Sequence, residues 1–547
     1  MTFSAATRTP HVEADSNDPW AIQPVRPASP PPPAPTQDEL IELKRRERWE
    51  KMQQKALQLQ AVKAAKLEAT KLNGASTTMR FKPRPWLRRD PSTNGQAGQR
   101  RTFTLFSWNM LAQALVRREL FPGSDFLKGT NLLLSFVPQV KTRIITLMAE
   151  VLHYSPSLVC LQEVDHYDTH RQALEQAGYD LTYHIGYDTK PHGVLIAYQA
   201  SLFDKVDQLE IKFDEEKMRP SSTTTSVQLD RENLAEERRI RALSRSTRNV
   251  ALFVALKHKP SSDSSSLSSR EGGLIIGTTH LFWHPTHVYE RVRQMYLFAE
   301  RAERFRVEMQ GKHGGLWRLI LAGDLNTQPN EITYALLKRV PLTPSQTHAF
   351  EASCVIHQSV DKIYDPSYET MEVVKEVAEG EEAIEDPDKV IKNSRAANEA
   401  DGLVSLDEFK LLYESLPHVR SAYGEIHGLF TEEQAQWYVE RPPGVESSQG
   451  WKIIEDPRAI EQRRQGSWEE RVARGDFEPM YTNYTPLWRC CLDYILALEK
   501  EDRGVSGVEW TGLMRMHRRD EMGDGLPKLG VEPSDHLAVA CEFVLPL

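Results

Sequence analysis

The chain has 547 residues, 33 prolines, 27% charged residues and a formal net charge of -9. That length holds one large core with appendages or a few ordinary domains. The negative charge excludes a protein that coats nucleic acid by electrostatics alone, which needs surplus Lys and Arg to release counterions, but not a nuclease whose cation supplies positive charge locally. Cys160, Cys354, Cys490, Cys491 and Cys541 show no Cys-x-x-Cys spacing, so neither a zinc knuckle nor a disulfide scaffold is indicated.

The N-terminal "MTFSAATRTPHVEADSNDPW" lacks an apolar core segment and carries Glu13, Asp15 and Asp18, against secretory or mitochondrial targeting. No apolar run approaches the length of a membrane span. The expected location is cytoplasm, nucleus or both, with no membrane partner. Residues 1–35 end in "PASPPPPAP", a disordered spacer. Residues 36–74 read as a charged, solvated helix opened by the capping pattern of Thr36 and Glu39 and stopped at Asn73-Gly74. Residues 75–101 read as a basic linker. This arm over 36–101 offers RNA or protein contacts through Lys44, Arg45, Arg46 and Arg48.

From 102 to 547 short apolar runs alternate with amphipathic segments. "FTLFSWNML", "SLVCLQEV", "HGVLIAY", "NVALFVALKH", "GLIIGTTHLFW", "WRLILAGDLN", "CLDYILAL" and "HLAVACEFVL" predict strands. Residues 139–154, 287–310 and 329–339 predict helices. The expectation is one layered α/β domain, with surface insertions near 213–247, 258–272, 360–400 and 430–478. "NEADGLVSLDEF" resembles half of a calcium-binding loop, but Ala397 stands where the first ligand is required.

Polar residues gather at the ends of these runs: Asn109, Glu163, His280, Asp324 and Asn326. Asp493 lies inside an apolar run, and Asp535 and His536 precede the last one. An ionised carboxylate inside a strand needs a partner. Carboxylate and amide oxygens suit a hard cation such as Mg²⁺ better than zinc. No nucleophile elbow, phosphate loop or dinucleotide fingerprint appears. Metal-assisted attack of water on a phosphoester is the chemistry left.

In order, "SWNML", "LQEV", "TTHLFWHP", "GDLNTQP", "LDYI" and "PSDH" resemble the endonuclease/exonuclease/phosphatase superfamily. Within it the chain is similar to the branch of nocturnin, Angel and the carbon-catabolite-repressor-type deadenylases, and especially to fungal Ngl-type RNA exonucleases. The resemblance implies a four-layer α/β sandwich, with two mixed β-sheets face to face and helices outside, beside a disordered N-terminal arm.

It also implies Mg²⁺, with Mn²⁺ able to substitute, and metal binding by Glu163 and Asp535. Asn109 supports metal or phosphate, and Asp324 orients and deprotonates the attacking water. Asn326 holds a phosphate oxygen or the base. His280 and His536 hydrogen-bond the phosphoryl group, and Asp493 orients His536. Pro285 and Trp488 sandwich the terminal base. The expected activity is 3'-to-5' hydrolysis of RNA at its 3' end, releasing nucleoside 5'-monophosphates. Departures are the lack of leucine-rich repeats, which removes that route of scaffold docking, and His192 before Gly193, where deadenylases carry an acid. A phosphatase or DNA endonuclease of the same superfamily, a dinucleotide phosphatase and a catalytically silent RNA-binding relative are the other readings.

Overall fold

The computed structural model describes residues 81–88, 101–116, 121, 138–188, 190–219, 239–259, 272–355, 395–397, 401–426, 466–486, 488–499 and 507–545. The predicted tail, the charged helix and most of the linker lie outside them, as do large parts of the four insertions.

Two mixed sheets form the frame. Their strands, in chain order, are β1 (Trp86–Arg88), β2 (Arg101–Asn109), β3 (Leu158–Val164), β4 (Tyr179–His184), β5 (Gly193–Gln199), β6 (Phe203–Lys212), β7 (Val250–His258), β8 (Gly273–His280), β9 (Trp317–Asp324), β10 (His418–Ser421), β11 (Asp493–Glu499), β12 (Glu509–Met514) and β13 (Val539–Leu545). One sheet runs β1-β12-β13-β2-β3-β5-β4 and the other β10-β11-β9-β8-β7-β6. Helices α1 (Pro138–Tyr154), α2 (Tyr167–Gln176) and α3 (Val288–His313) cover them.

Side chains alternate across each strand, and the core divides accordingly. Leu105, Leu158 and Cys160 of the first sheet meet Leu252, Ile276 and Ile320 of the second, filling the space between the sheets. Phe106, Val159 and Leu161 point outward beneath Leu147, Met148 and Val151 of α1 and Leu174 of α2. Phe253, Ile275 and Leu321 pack under Val292, Met295 and Phe298 of α3. Helix, sheet, sheet and helix make the four expected layers. Fully burying each such aliphatic side chain contributes roughly 1.5 to 3 kcal/mol. α3 stops where Gly314 takes φ +66° and its N–H donates to the Gln310 carbonyl at 2.9 Å, a left-handed exit that favours glycine.

Most neighbours are antiparallel, but each sheet has one parallel pair at its centre. β2 runs beside β3, pairing Leu105 with Leu158, and β8 beside β9, pairing Gly273 with Trp317. Parallel neighbours need a crossover, supplied by α1 and α3. Both pairs end at the same edge of the sandwich, one from each sheet, where side chains from both sheets meet.

Two expectations need correction. The linker is not free over its last described stretch: β1 pairs Leu87 with Leu513, and Phe81 and Arg84 are buried. The 213–247 insertion is not wholly a surface excursion, because Phe213, Ile240, Ala242 and Ser244 are buried. Their apolar and small side chains seat the segment on α3. No helix among the described residues is long and apolar enough to cross a membrane.

Candidate active site

Register delivers the site. His280 pairs with Asp324 across β8 and β9, and Asp324 with Asp493 across β9 and β11, so three ionisable residues stand side by side on one sheet. Asn109 and Glu163 close β2 and β3 on the other. The Asn109 Nδ2 donates to Glu163 Oε1 and to Asp324 Oδ2, both at 2.9 Å. One amide therefore ties the lips of the two sheets together.

The backbone yields to this arrangement. Among the described residues seven other than glycine have positive φ, and Leu111 (+54°), Glu163 (+56°), Arg248 (+57°) and Asn326 (+47°) lie at the site. A left-handed non-glycine residue costs roughly 1 to 2 kcal/mol, a strain that persists where surrounding contacts over-determine it. Glu163 Oε2 accepts from Ala112 N at 2.8 Å, and the β3–β5 register shifts between Leu161 and Val164. Asn326 N–H donates to Asp324 Oδ1 at 2.9 Å, and its Nδ2 to the Leu281 carbonyl at 2.9 Å. Gly323 before Asp324 is required, since a Cβ there would collide with the Thr279 carbonyl.

His536 lies between two acids. Its Nδ1 is 2.8 Å from Asp493 Oδ2, and its Nε2 is 3.7 Å from Asp324 Oδ2. Burial lowers the pKa of this imidazole, but Asp493, Asp324 and Asp535 outweigh it and hold the value well above the ordinary one. His280 stands 3.6 Å from Asp324 and 3.8 Å from Glu163. Burial, then His192, Lys190 and His536, push its pKa well below the usual range. The two imidazoles thus differ: their surroundings favour the charged form of His536 and the neutral form of His280. Burial and the neighbouring Asp493 raise Asp324 to about 7, against His536 and the Asn109 amide. Asp535 accepts a long 3.4 Å hydrogen bond from Asn483 Nδ2.

Sequence reasoning missed the supports. Arg143 of α1, nearly fully buried, donates to the Met110 and Leu111 carbonyls at 2.8 and 2.7 Å and to Pro533 O at 3.5 Å. It fixes the turn after Asn109 against the segment before Asp535. Ser534 Oγ donates to the Asn109 carbonyl at 2.7 Å, and Asn249 Nδ2 to the His280 carbonyl at 2.7 Å. Ser534 was visible inside "PSDH"; Arg143 had no signal beyond helix periodicity. Lys190, in "KPHGVLIAY", faces Glu163, and burial lowers its pKa to about 8. Pro285 is exposed and Trp488 half-buried on a separate hairpin, Asn483–Tyr484 with Arg489–Cys490.

The sequence profile of the Endonuclease/Exonuclease/phosphatase family matches residues 106–536, from β2 to His536. The chain belongs to that family. It is 28% identical over 472 residues to RNA exonuclease NGL2 of Saccharomyces cerevisiae, covering 81% of this chain and 78% of that protein. A probable RNA exonuclease of Schizosaccharomyces pombe is 27% identical over 453 residues, covering 80% and 74%. Among solved structures, ANGEL2, a 2',3'-cyclic phosphatase, superposes with TM-score 0.46 at 16% identity, over 85% of this chain and all of that one. The human nocturnin catalytic domain gives 0.39 at 16% identity, over 84% and 99%. This family member is a hydrolase of the nuclease and phosphatase superfamily.

The donors fit a divalent cation. Burial and Asp535 raise the Glu163 pKa, and burial raises that of Asp535, so two buried carboxyls repel one another where no lysine or arginine pairs with them among the described ion pairs. Arg143, the guanidinium near both, donates to the Met110 and Leu111 carbonyls and to Gln113 Oε1. Oxygen donors of this kind suit a hard cation. Asp324, Asp493 and His536 also bring ligand atoms within 4.8 Å of one another. Within that trio the Asp493–His536 hydrogen bond occupies Oδ2 and Nδ1 and leaves Asp493 Oδ1 without a partner among the described residues.

Proposed function

We propose that this protein is a Mg²⁺-dependent 3'-to-5' exoribonuclease that releases nucleoside 5'-monophosphates. The observation that carries the reading is the junction of Asn109, Glu163, Asp324, Asp493 and His536 at one edge of the sandwich, with no Ser or Cys nucleophile among them. The RNA assignment draws support from the relatives named RNA exonucleases.

Glu163 and Asp535 would hold the Mg²⁺, which when bound neutralises phosphoryl charge and lowers the pKa of coordinated water. Asp324 takes the proton of the attacking water. Asn109, by donating to both Asp324 and Glu163, keeps the base and the metal ligand in one geometry. His536, held charged and oriented by Asp493, donates Nε2–H to the phosphoryl oxygen on which charge builds. His280, neutral, supplies a second donor. Pro285 and Trp488 flank the 3'-terminal base, a contact every base can make.

The test is hydrolysis of end-labelled RNA and DNA oligomers with Mg²⁺ or EDTA, by the wild type, Glu163→Ala and Asp324→Ala. Stepwise shortening of 5'-labelled RNA, with 5'-monophosphates released from the 3' end, is expected only with Mg²⁺ and only for the wild type. Activity that survives EDTA or both substitutions overturns the mechanism; preference for DNA overturns the substrate.

A further inference from the structure

Beyond the groups around the scissile bond, the rim near His280 carries an unusual pair. The guanidinium of Arg245 lies 4.4 Å from the Phe282 ring centroid, and its shielded Nε and Nη1 have no hydrogen-bond partner among the described residues. Five N–H donors in a planar fork call for an anion. The nearest acids are already engaged: Glu290 accepts from Ser244 Oγ and Arg293 at 2.8 and 2.9 Å, and Asp214 accepts from the Thr247 and Arg248 amides. The segment bearing Arg245 is thereby fixed while its cation is left unpaired.

The residue after Phe282, Trp283, is 44% exposed. A single exposed indole means little on an ordinary loop, but the residues on both sides of this one are held. Leu281 N–H donates to the Asp324 carbonyl at 3.0 Å, Phe282 N–H to Gln294 Oε1 at 3.0 Å, and Arg291 donates to the His284 and Pro285 carbonyls. A mount three residues past His280 thus leaves the indole partly exposed, one residue along from the Phe282 ring on which Arg245 sits.

We propose that Arg245 and Trp283 form a subsite for the nucleotide upstream of the scissile bond, with the guanidinium on its phosphodiester and the indole against its base. The proposal rests on the exoribonuclease reading. A bidentate guanidinium suits a phosphodiester, and an indole stacks any base. The strand thus gains grip without sequence choice, and Pro285 and Trp488 remain for the terminal base.

The test is steady-state hydrolysis of RNA 10-mers that carry either an abasic second nucleotide from the 3' end or a methylphosphonate at the linkage just upstream of the scissile one. For the wild type each change should raise KM roughly tenfold and leave kcat unchanged. Arg245→Gln should be insensitive to the methylphosphonate and Trp283→Ala to the abasic residue, with Trp283→Phe restoring sensitivity. The modified RNAs probe the wild-type protein directly, so a variant that fails to fold does not remove the test. Unchanged wild-type KM on both RNAs, or variants as sensitive as the wild type, overturn the subsite alone. No hydrolysis of any RNA overturns the exoribonuclease reading and the subsite with it.

Discussion

Two buried clusters of charge, one where the two sheets meet and one behind the first sheet, differ in what they serve. At the site, Asp324, Asp493 and His536 lie together, next to backbone strained at Glu163 and Asn326. Behind the sheet, Arg84 lies 3.7 Å from Glu150 and 3.8 Å from Glu532, with all three side chains fully buried. Both clusters raise a carboxyl pKa, Asp324 in one and Glu150 in the other, burial being the main cause in each. A perturbed pKa therefore marks function only together with other features, here the strained backbone. Arg84 donates to the Ala538 carbonyl at 2.8 Å, and Lys82 N–H to Val531 O at 2.9 Å. That cluster clamps the end of the N-terminal segment beneath the strand that follows His536.

The sharpest break between the two should come from Asp324→Ala. It should slow RNA hydrolysis by a thousandfold or more, roughly 4 kcal/mol, with a thermal midpoint close to the wild type. Arg84→Ala should do the converse, leaving two buried carboxyls without their cation and lowering stability by about 3 to 5 kcal/mol, read by denaturant titration, while the folded fraction keeps its kcat. An Arg84 variant of normal stability and lost kcat would erase the distinction.

Asp493→Asn tests the cluster at the site from within. It removes the charge that, with Asp324 and Asp535, outweighs burial and keeps the His536 pKa high. The wild-type imidazolium persists until pH rises through that raised value. In the variant the value falls, so the alkaline loss of kcat should move to lower pH and kcat at neutral pH should drop about a hundredfold. An unmoved alkaline limb would mean that His536 is not the group that donates.

Much of this contrast was legible in the sequence, and its illegible part has a pattern. The eight central strands read as apolar runs because both faces are covered. Within the two large sheets, the five missed strands are the four sheet edges, β1, β4, β6 and β10, and β12 beside an edge. β6, "FDKVDQLEIK", exposes charges along much of its length, as edges must to avoid pairing with other chains, and so mimics a loop. The site residues were visible because each ends or interrupts an apolar run. Arg84 and Arg143 were not: a buried arginine spells the same letter as a solvated one, and only tertiary contacts tell them apart. Arg245 escaped for the same reason, lying in a segment that reads as a surface insertion.

Glu150→Gln gives the smallest effect and isolates the second cluster's electrostatics. Burial, then Glu532, raises the Glu150 pKa well above the ordinary value, against the pull of Arg84. A raised carboxyl is protonated in the folded state where the unfolded chain has released its proton. Stability is therefore full below the unfolded pKa and declines as pH rises from there through the folded value. With Arg84 facing both carboxyls and His517 Nε2 3.4 Å from Glu532, a neutral Glu150 lowers the negative charge the cluster must balance, and glutamine is neutral at every pH. The variant should match the wild type near pH 4 and exceed it in thermal midpoint at pH 8, the gap opening across that interval. A gap that is constant with pH would show that Glu150 ionises alike in both states, and that Arg84 rather than a retained proton balances the pair.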